Sequence, residues 1–145
     1  MPLASSLLFS FVAIATALAA HLADYSDTHL FNSAWSGHAK YHAAHTMALS
    51  ALLGALTLFF SWRPGGDALT NLLAAAGFAG VYWVTQAGAI HYPNTLYFDP
   101  EFDLPKNYIL GLPAQAMFQI VFLSLTGIGV ILGLRTILAT GVRTA

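Results

Sequence analysis

The chain has 145 residues, of which 57% are hydrophobic and only 8% charged, against about 25% charged in a soluble domain. This is the composition of an integral membrane protein, and the length allows a single domain, residues 1–145. The formal charge of −1, with Lys40, Arg63, Lys106, Arg135 and Arg143 scattered, argues against nucleic acid as a partner, and the absence of cysteine excludes disulfides, thiolate metal sites, thioether-linked haem and cysteine nucleophiles.

From Leu3 to about Leu22 the sequence carries no charge, and at about 1.5 Å per residue it is long enough to cross a hydrocarbon core of about 30 Å. A signal peptide competes for this segment, because Ala17-Leu18-Ala19 has the small-residue pattern of a cleavage site. The start Met-Pro-Leu-Ala-Ser-Ser carries no basic side chain, so a retained first span is the expectation. His21 and Asp24 follow at i, i+3 on the last turn and face the same way. The segment from Asp24 to Gly37 is polar but studded with aromatic residues, as suits headgroup depth, and Ser36 is placed to cap the next helix.

The second span, from about His38 to Trp62, opens with His38, His42 and His45. At about 100° per residue they fall on one stripe within roughly 60° of one another, and Lys40 faces the other way. Arg63-Pro64-Gly65-Gly66-Asp67 makes a tight turn. A third span runs from about Ala68 to Ile90, with Asn71 near one end and Tyr82 and Gln86 sharing a face near the other. The connection from His91 to Asn107 contains Pro93, Pro100 and Pro105, which rule out a continuous helix, and its length fits a functional lid or re-entrant cap. The fourth span begins near Leu110 and reaches about Leu138, with Gln115 and Gln119 one turn apart and a small-residue stretch, Thr126 to Gly133, that lets a neighbouring helix come close. The fold class is therefore all-α, an integral membrane four-helix bundle with a long capping loop between the third and fourth helices.

Four spans put the N-terminus, the Arg63 turn and the C-terminus on one side, together with Arg135 and Arg143. The positive-inside rule makes that side, and both termini, cytoplasmic. All six histidines, His21, His29, His38, His42, His45 and His91, then fall at the opposite face with five of the six acids. Independent placement would rarely give six of six, so a shared task is the expectation.

A metal site is the sharpest form of that task. Neutral imidazole is a common ligand, and i, i+3 or i, i+4 pairs present two ligands to one ion. His38, His42, His45 and His91 are the expected ligands, with His21 and Asp24 as ligands or hydrogen-bonded supports. A nitrogen and carboxylate set without sulfur suits iron, zinc or copper(II). Asp24 and Glu101 are the candidate catalytic acids or bases. Gln86, Gln115 and Gln119 are candidates for holding a cofactor or ligand, weighed against the commoner role of such amides in joining helices. The competing readings of the histidines are a hydrogen-bonded, proton-handling cluster and unrelated interfacial side chains.

At Phe31-Asn32-Ser33-Ala34-Trp35-Ser36-Gly37-His38-Ala39-Lys40-Tyr41-His42, and again at Phe98-Asp99-Pro100-Glu101-Phe102 and Gly111-Leu112-Pro113-Ala114-Gln115, the chain resembles a family of small four-helix membrane proteins of unknown function. That resemblance covers most of the chain and implies the same four-span layout but no reaction. The His38 to His42 spacing is also similar to the histidine boxes of membrane desaturases and carotenoid hydroxylases. Those enzymes carry more histidines, including adjacent pairs, and none is adjacent here. The emopamil-binding sterol isomerases look similar only in general layout, so no residue carries over from them.

The leading expectation is a metal-dependent membrane enzyme that oxidises or hydrates a lipophilic small molecule in a histidine-lined chamber at the extracytoplasmic end. Membrane lipids surround it, and a homo-oligomer is compatible with the sequence. A non-catalytic subunit of a respiratory or photosynthetic membrane complex is the alternative, and a metal-free lipid isomerase or proton relay the third.

Overall fold

The computed structural model describes residues 1–142, so Arg143 lies outside the described residues. Four helices dominate: α1 (Leu3–Asp24), α2 (Gly37–Trp62), α3 (Ala68–Ala89) and α4 (Ala114–Val142). All four are long and apolar enough to cross a membrane. This is the all-α bundle expected from the composition, and the first three helices keep the predicted limits to within two residues.

Local chemistry sets those limits. The Ser36 hydroxyl accepts from the Ala39 N–H at 3.2 Å at the start of α2. At the start of α3 the Asp67 carboxylate accepts from the Thr70 N–H at 2.6 Å and from the Thr70 hydroxyl at 2.8 Å. These hydrogen bonds hold the Asp67 carboxyl below its ordinary value of 3.8. A folded-state value depressed in this way contributes stability above the ordinary value, and that contribution is lost as pH falls through the folded one. The melting temperature in neutral detergent is therefore expected to fall more steeply below pH 3.8 in the wild type than in Asp67→Asn, which keeps a capping oxygen but cannot titrate.

The fourth helix starts four residues later than predicted. Tyr108–Ile109 (β1) pairs antiparallel with Leu112–Pro113 (β2), and the two residues between them, Leu110 and Gly111, have φ of 51° and 81°. Left-handed backbone of this kind closes a two-residue hairpin and cannot open a right-handed helix. The chain enters α4 only at Ala114, and the helix runs on past the predicted end at Leu138 to Val142.

The helices pack in a ring, each against its sequence neighbours and α1 against α4, with α1 and α3 approaching across the middle. At the end holding the Arg63 turn, the Ser6 hydroxyl donates to the Ser61 carbonyl at 2.9 Å, and the Arg63 Nε donates to Asn71 Oδ1 at 2.7 Å. The Ser5 hydroxyl donates to the Gly129 carbonyl at 2.8 Å, so α4 also comes close there. The interior sets small and hydroxyl side chains such as Ala13, Ser50 and Thr57 around Phe9, Leu72 and Trp83, whereas Leu7, Phe11, Ile14 and Leu18 are exposed. A bundle in lipid sorts its residues this way, because close backbone approach rather than hydrophobic exclusion draws its helices together.

Gly129 and Gly133 show how close that approach is. A Cβ on Gly129 would stand 2.6 Å from the Phe9 ring, and one on Gly133 would run into Leu72 and Ser5. The small-residue stretch read from the sequence thus receives α1 and α3. Gly133→Ala is expected to destabilise the bundle by about 1–3 kcal/mol, the usual cost of overpacking, measured by unfolding in mixed micelles against the exposed control Gly127→Ala.

Candidate functional site

The end of the bundle opposite the Arg63 turn carries both long loops, and beneath them lies a cavity of about 480 Å³. That is the size of a pocket for a small organic molecule. On α1 it is bounded by Ala19, Ala20, Ala23 and Asp24, on α3 by Tyr82, Trp83 and Gln86, and on α4 by Ala114, Gln115 and Phe118. The three alanines recur at i, i+1, i+4 on one face, and their short side chains leave the space. Among the described residues, α2 contributes nothing to this wall.

The floor is Trp83, which is 2% exposed. Its indole N–H donates to the Thr16 hydroxyl at 2.9 Å, and its ring stacks on Phe122 with centroids 4.6 Å apart. Thr16 in turn donates to the Val12 carbonyl at 2.8 Å, so the bond joining α1 to α3 has no loose end.

The roof is two folded loops. After α1 the chain coils back on itself: the Leu30 N–H donates to the Asp24 carbonyl at 3.0 Å and the Phe31 N–H to the Ser26 carbonyl at 3.0 Å. This reversal brings His29 Nε2 to 3.7 Å from Asp24 Oδ1. The other ring nitrogen, Nδ1, is 2.7 Å from the Thr28 hydroxyl, which is itself 2.8 Å from Ser26 Oγ. The Trp35 ring meets His29 edge to face at 5.0 Å, and its indole N–H donates to Asp99 Oδ2 at 3.3 Å. That last bond ties the first loop to the second across the cavity mouth.

The segment from Leu96 to Phe102 closes the rest, so the long connection covers a chamber as expected. It is anchored from below by Gln115, whose Nε2 donates to the Tyr97 carbonyl at 3.1 Å. Gln115 Oε1 is buried and has no hydrogen-bond partner among the described residues. One turn along α4, Gln119 Nε2 donates to Gln86 Oε1 at 3.3 Å. Gln86 and Gln115 thus both stand on the cavity wall, and Gln119 holds Gln86 from behind.

The histidines are distributed differently from the expected ligand set. His38, His42 and His45 do share one stripe, but it is exposed on the outer side of α2. His38 and His42 form a pair with Nε2 atoms 3.1 Å apart, and Tyr41 stacks parallel to His45 at 6.5 Å. His21 is exposed, its Nδ1 2.8 Å from the Ala17 carbonyl, and His91 is exposed beyond α3. Among the described residues, no three His, Cys, Asp or Glu side chains come together as a metal site requires. The expected set of His21, His38, His42, His45 and His91 is thus not gathered around one point.

The reason lies in α2. Its buried face is Ala43, Met47, Ser50, Gly54, Thr57 and Ser61, and at about 100° per residue the histidine stripe is centred roughly 130° away from it, with His42 on the flank. Of the candidate catalytic pair, Asp24 lines the cavity, while Glu101 is exposed on the short 3-10 turn Pro100–Phe102 and its neighbour Asp99 lines the wall instead. Sequence reasoning grouped His29 with the other histidines without giving it a role of its own, and passed over Trp35 and Asp99. The available signal was the turn-forming Ser26-Asp27-Thr28 between Asp24 and His29, which favours the reversal that pairs them.

No curated protein and no solved structure matches this chain. A family model does match, over residues 8–144, which is nearly the whole of the bundle and agrees with the resemblance carried by the Phe31 to His42 and Phe98 to Phe102 motifs. The chain belongs to this family, described as a family of unknown function (DUF6640).

Proposed function

We propose that this protein is a membrane enzyme that moves a proton on a lipophilic small molecule held in the cavity beneath the two loops. One observation carries the reading: a carboxylate and an imidazole, Asp24 and His29, stand 3.7 Å apart in the wall of an otherwise largely aromatic and alanine-lined chamber. Carboxylates with a titratable partner in a partly desolvated cleft are the usual equipment of proton transfer. Asp24 takes a proton from a carbon next to a carbonyl group or double bond. The bond electrons shift along the unsaturated system, and the proton returns at a second carbon. The outcome is an isomerisation with no oxidant or reductant. His29 orients Asp24 and shares the proton, and the Tyr82 hydroxyl serves as a hydrogen-bond donor to the charge that develops.

This departs from metal-dependent oxidation or hydration, because His21, His38, His42, His45 and His91, the expected ligands, do not line the cavity. The extracytoplasmic placement of the chamber, which follows from the arginine distribution, stays part of the proposal. A second reading has its own support. The exposed row His38, Tyr41, His42 and His45 on α2 is the kind of outward ring surface an accessory subunit offers to a larger membrane complex.

The test is native mass spectrometry of protein purified in mild neutral detergent. A retained lipophilic molecule is expected in the wild type and is expected to be lost in Ala23→Leu, which fills the cavity wall. The variant with His38, His42 and His45 all changed to Ala is expected to keep it, because α2 takes no part in the wall. Retention by Ala23→Leu, or loss on removing the α2 histidines, would overturn the assignment of the site to the cavity.

A further inference from the structure

We infer that the molecule held in the cavity carries a positively charged ammonium group; this rests on the cavity being the ligand site. Two carboxylates, Asp24 and Asp99, line the chamber, and among the described residues no lysine or arginine does. Among the described residues His29 is the only basic side chain in the wall, so two carboxyl groups face one imidazole. Gln115 adds to this: its amide N–H donates to the Tyr97 carbonyl, and the end left without a partner among the described residues is the electronegative Oε1. The wall is therefore richer in oxygen acceptors than in cationic groups, which suits a positively charged guest.

The uncharged part of the wall points the same way. Tyr82, Trp83, Phe98, Phe102 and Phe118 supply rings from two helices and a loop. Aromatic rings grouped with carboxylates attract an organic cation through the ring quadrupole and by direct charge attraction, and quaternary ammonium groups are recognised in this way. An anionic headgroup such as a phosphate would find no cationic partner in the wall except a protonated His29. A positive charge on the ligand also suits proton abstraction by Asp24, because it stabilises the negative charge that develops on a nearby carbon.

The inference is tested with two probes of the same shape, a phenylbutyl chain ending in trimethylammonium and the same chain ending in tert-butyl. Each is titrated against the full-length protein in maltoside micelles, with tryptophan fluorescence and melting temperature as readouts. The ammonium probe is expected to bind saturably and at least about tenfold more tightly than the tert-butyl probe, the equivalent of about 1.4 kcal/mol. Asp24→Asn, which keeps the shape of the side chain, is expected to bring the two affinities within about twofold of each other. Equal binding of both probes to the wild type would overturn the cationic ligand and leave the cavity as a site for neutral molecules. Failure of both probes to bind protein stripped of its native ligand would likewise overturn the inference. A wild-type preference unchanged in Asp24→Asn would overturn the carboxylate's part in it.

Discussion

Asp24→Asn is expected to lower proton transfer to the retained ligand by about 10²–10⁴-fold, the usual contribution of a positioned acid or base. The readout serves for any substrate that exchanges a carbon-bound proton. Protein holding its ligand is incubated in heavy water, the ligand is extracted into ordinary water, and carbon-bound deuterium, which survives that step, is measured by mass. The wild type is expected to build up deuterium and Asp24→Asn is not, while the amount of native ligand kept by the variant separates loss of chemistry from loss of binding. His29→Gln is expected to give a smaller loss, because His29 acts on the proton through Asp24 across 3.7 Å. Replacement of Glu101 by Gln is expected to leave the rate unchanged, since that side chain stands outside the cavity wall. Wild-type deuterium uptake in Asp24→Asn would remove Asp24 from the chemistry.

The largest structural effect is expected at the cavity floor. Trp83→Ala removes a fully packed ring from the centre of the bundle and is expected to cost about 3–5 kcal/mol, as large-to-small changes of aromatic core residues do. Two losses combine there. The stack on Phe122 disappears, and the Thr16 hydroxyl on the facing helix loses the indole that donates to it. Thr16→Val isolates the second loss and is expected to cost about 0.6–1.7 kcal/mol, from the average to the largest value measured for hydrogen bonds between membrane helices. Unfolding in mixed micelles gives both values. Trp83→Ala costing no more than Thr16→Val would mean that the ring does not hold α1, α3 and α4 together.

The class of fold and the order of the helices were legible in the chain alone. Long apolar runs have one economical structure in hydrocarbon, because only a helix satisfies its backbone hydrogen bonds within the segment. Prolines, glycines and capping side chains such as Ser36 and Asp67 marked the ends for local reasons, visible without any partner. The same arithmetic of spans put all six histidines at one end of the bundle, where they indeed stand. The start of α4 was missed because a hairpin at Leu110 and Gly111 is a choice of backbone conformation, and Leu110 is a residue that rarely makes it.

Which of the polar groups meet was settled by packing. Helical periodicity grouped His38, His42 and His45 on one stripe but did not say whether that stripe faced a partner. Interhelical contact in lipid is won by small residues, and Ala43, Ser50, Gly54 and Thr57 claimed the inward side of α2, which left the histidines outside. Small residues made the site on α1 as well, where Ala19, Ala20 and Ala23 leave room beside Asp24. The pairing of Asp24 with His29, and of Trp35 with Asp99, depends on how two irregular loops fold over that space. Such contacts join residues without a shared periodicity, and Trp35 and Asp99 are far apart along the chain, so they exist only once four helices have closed around the cavity.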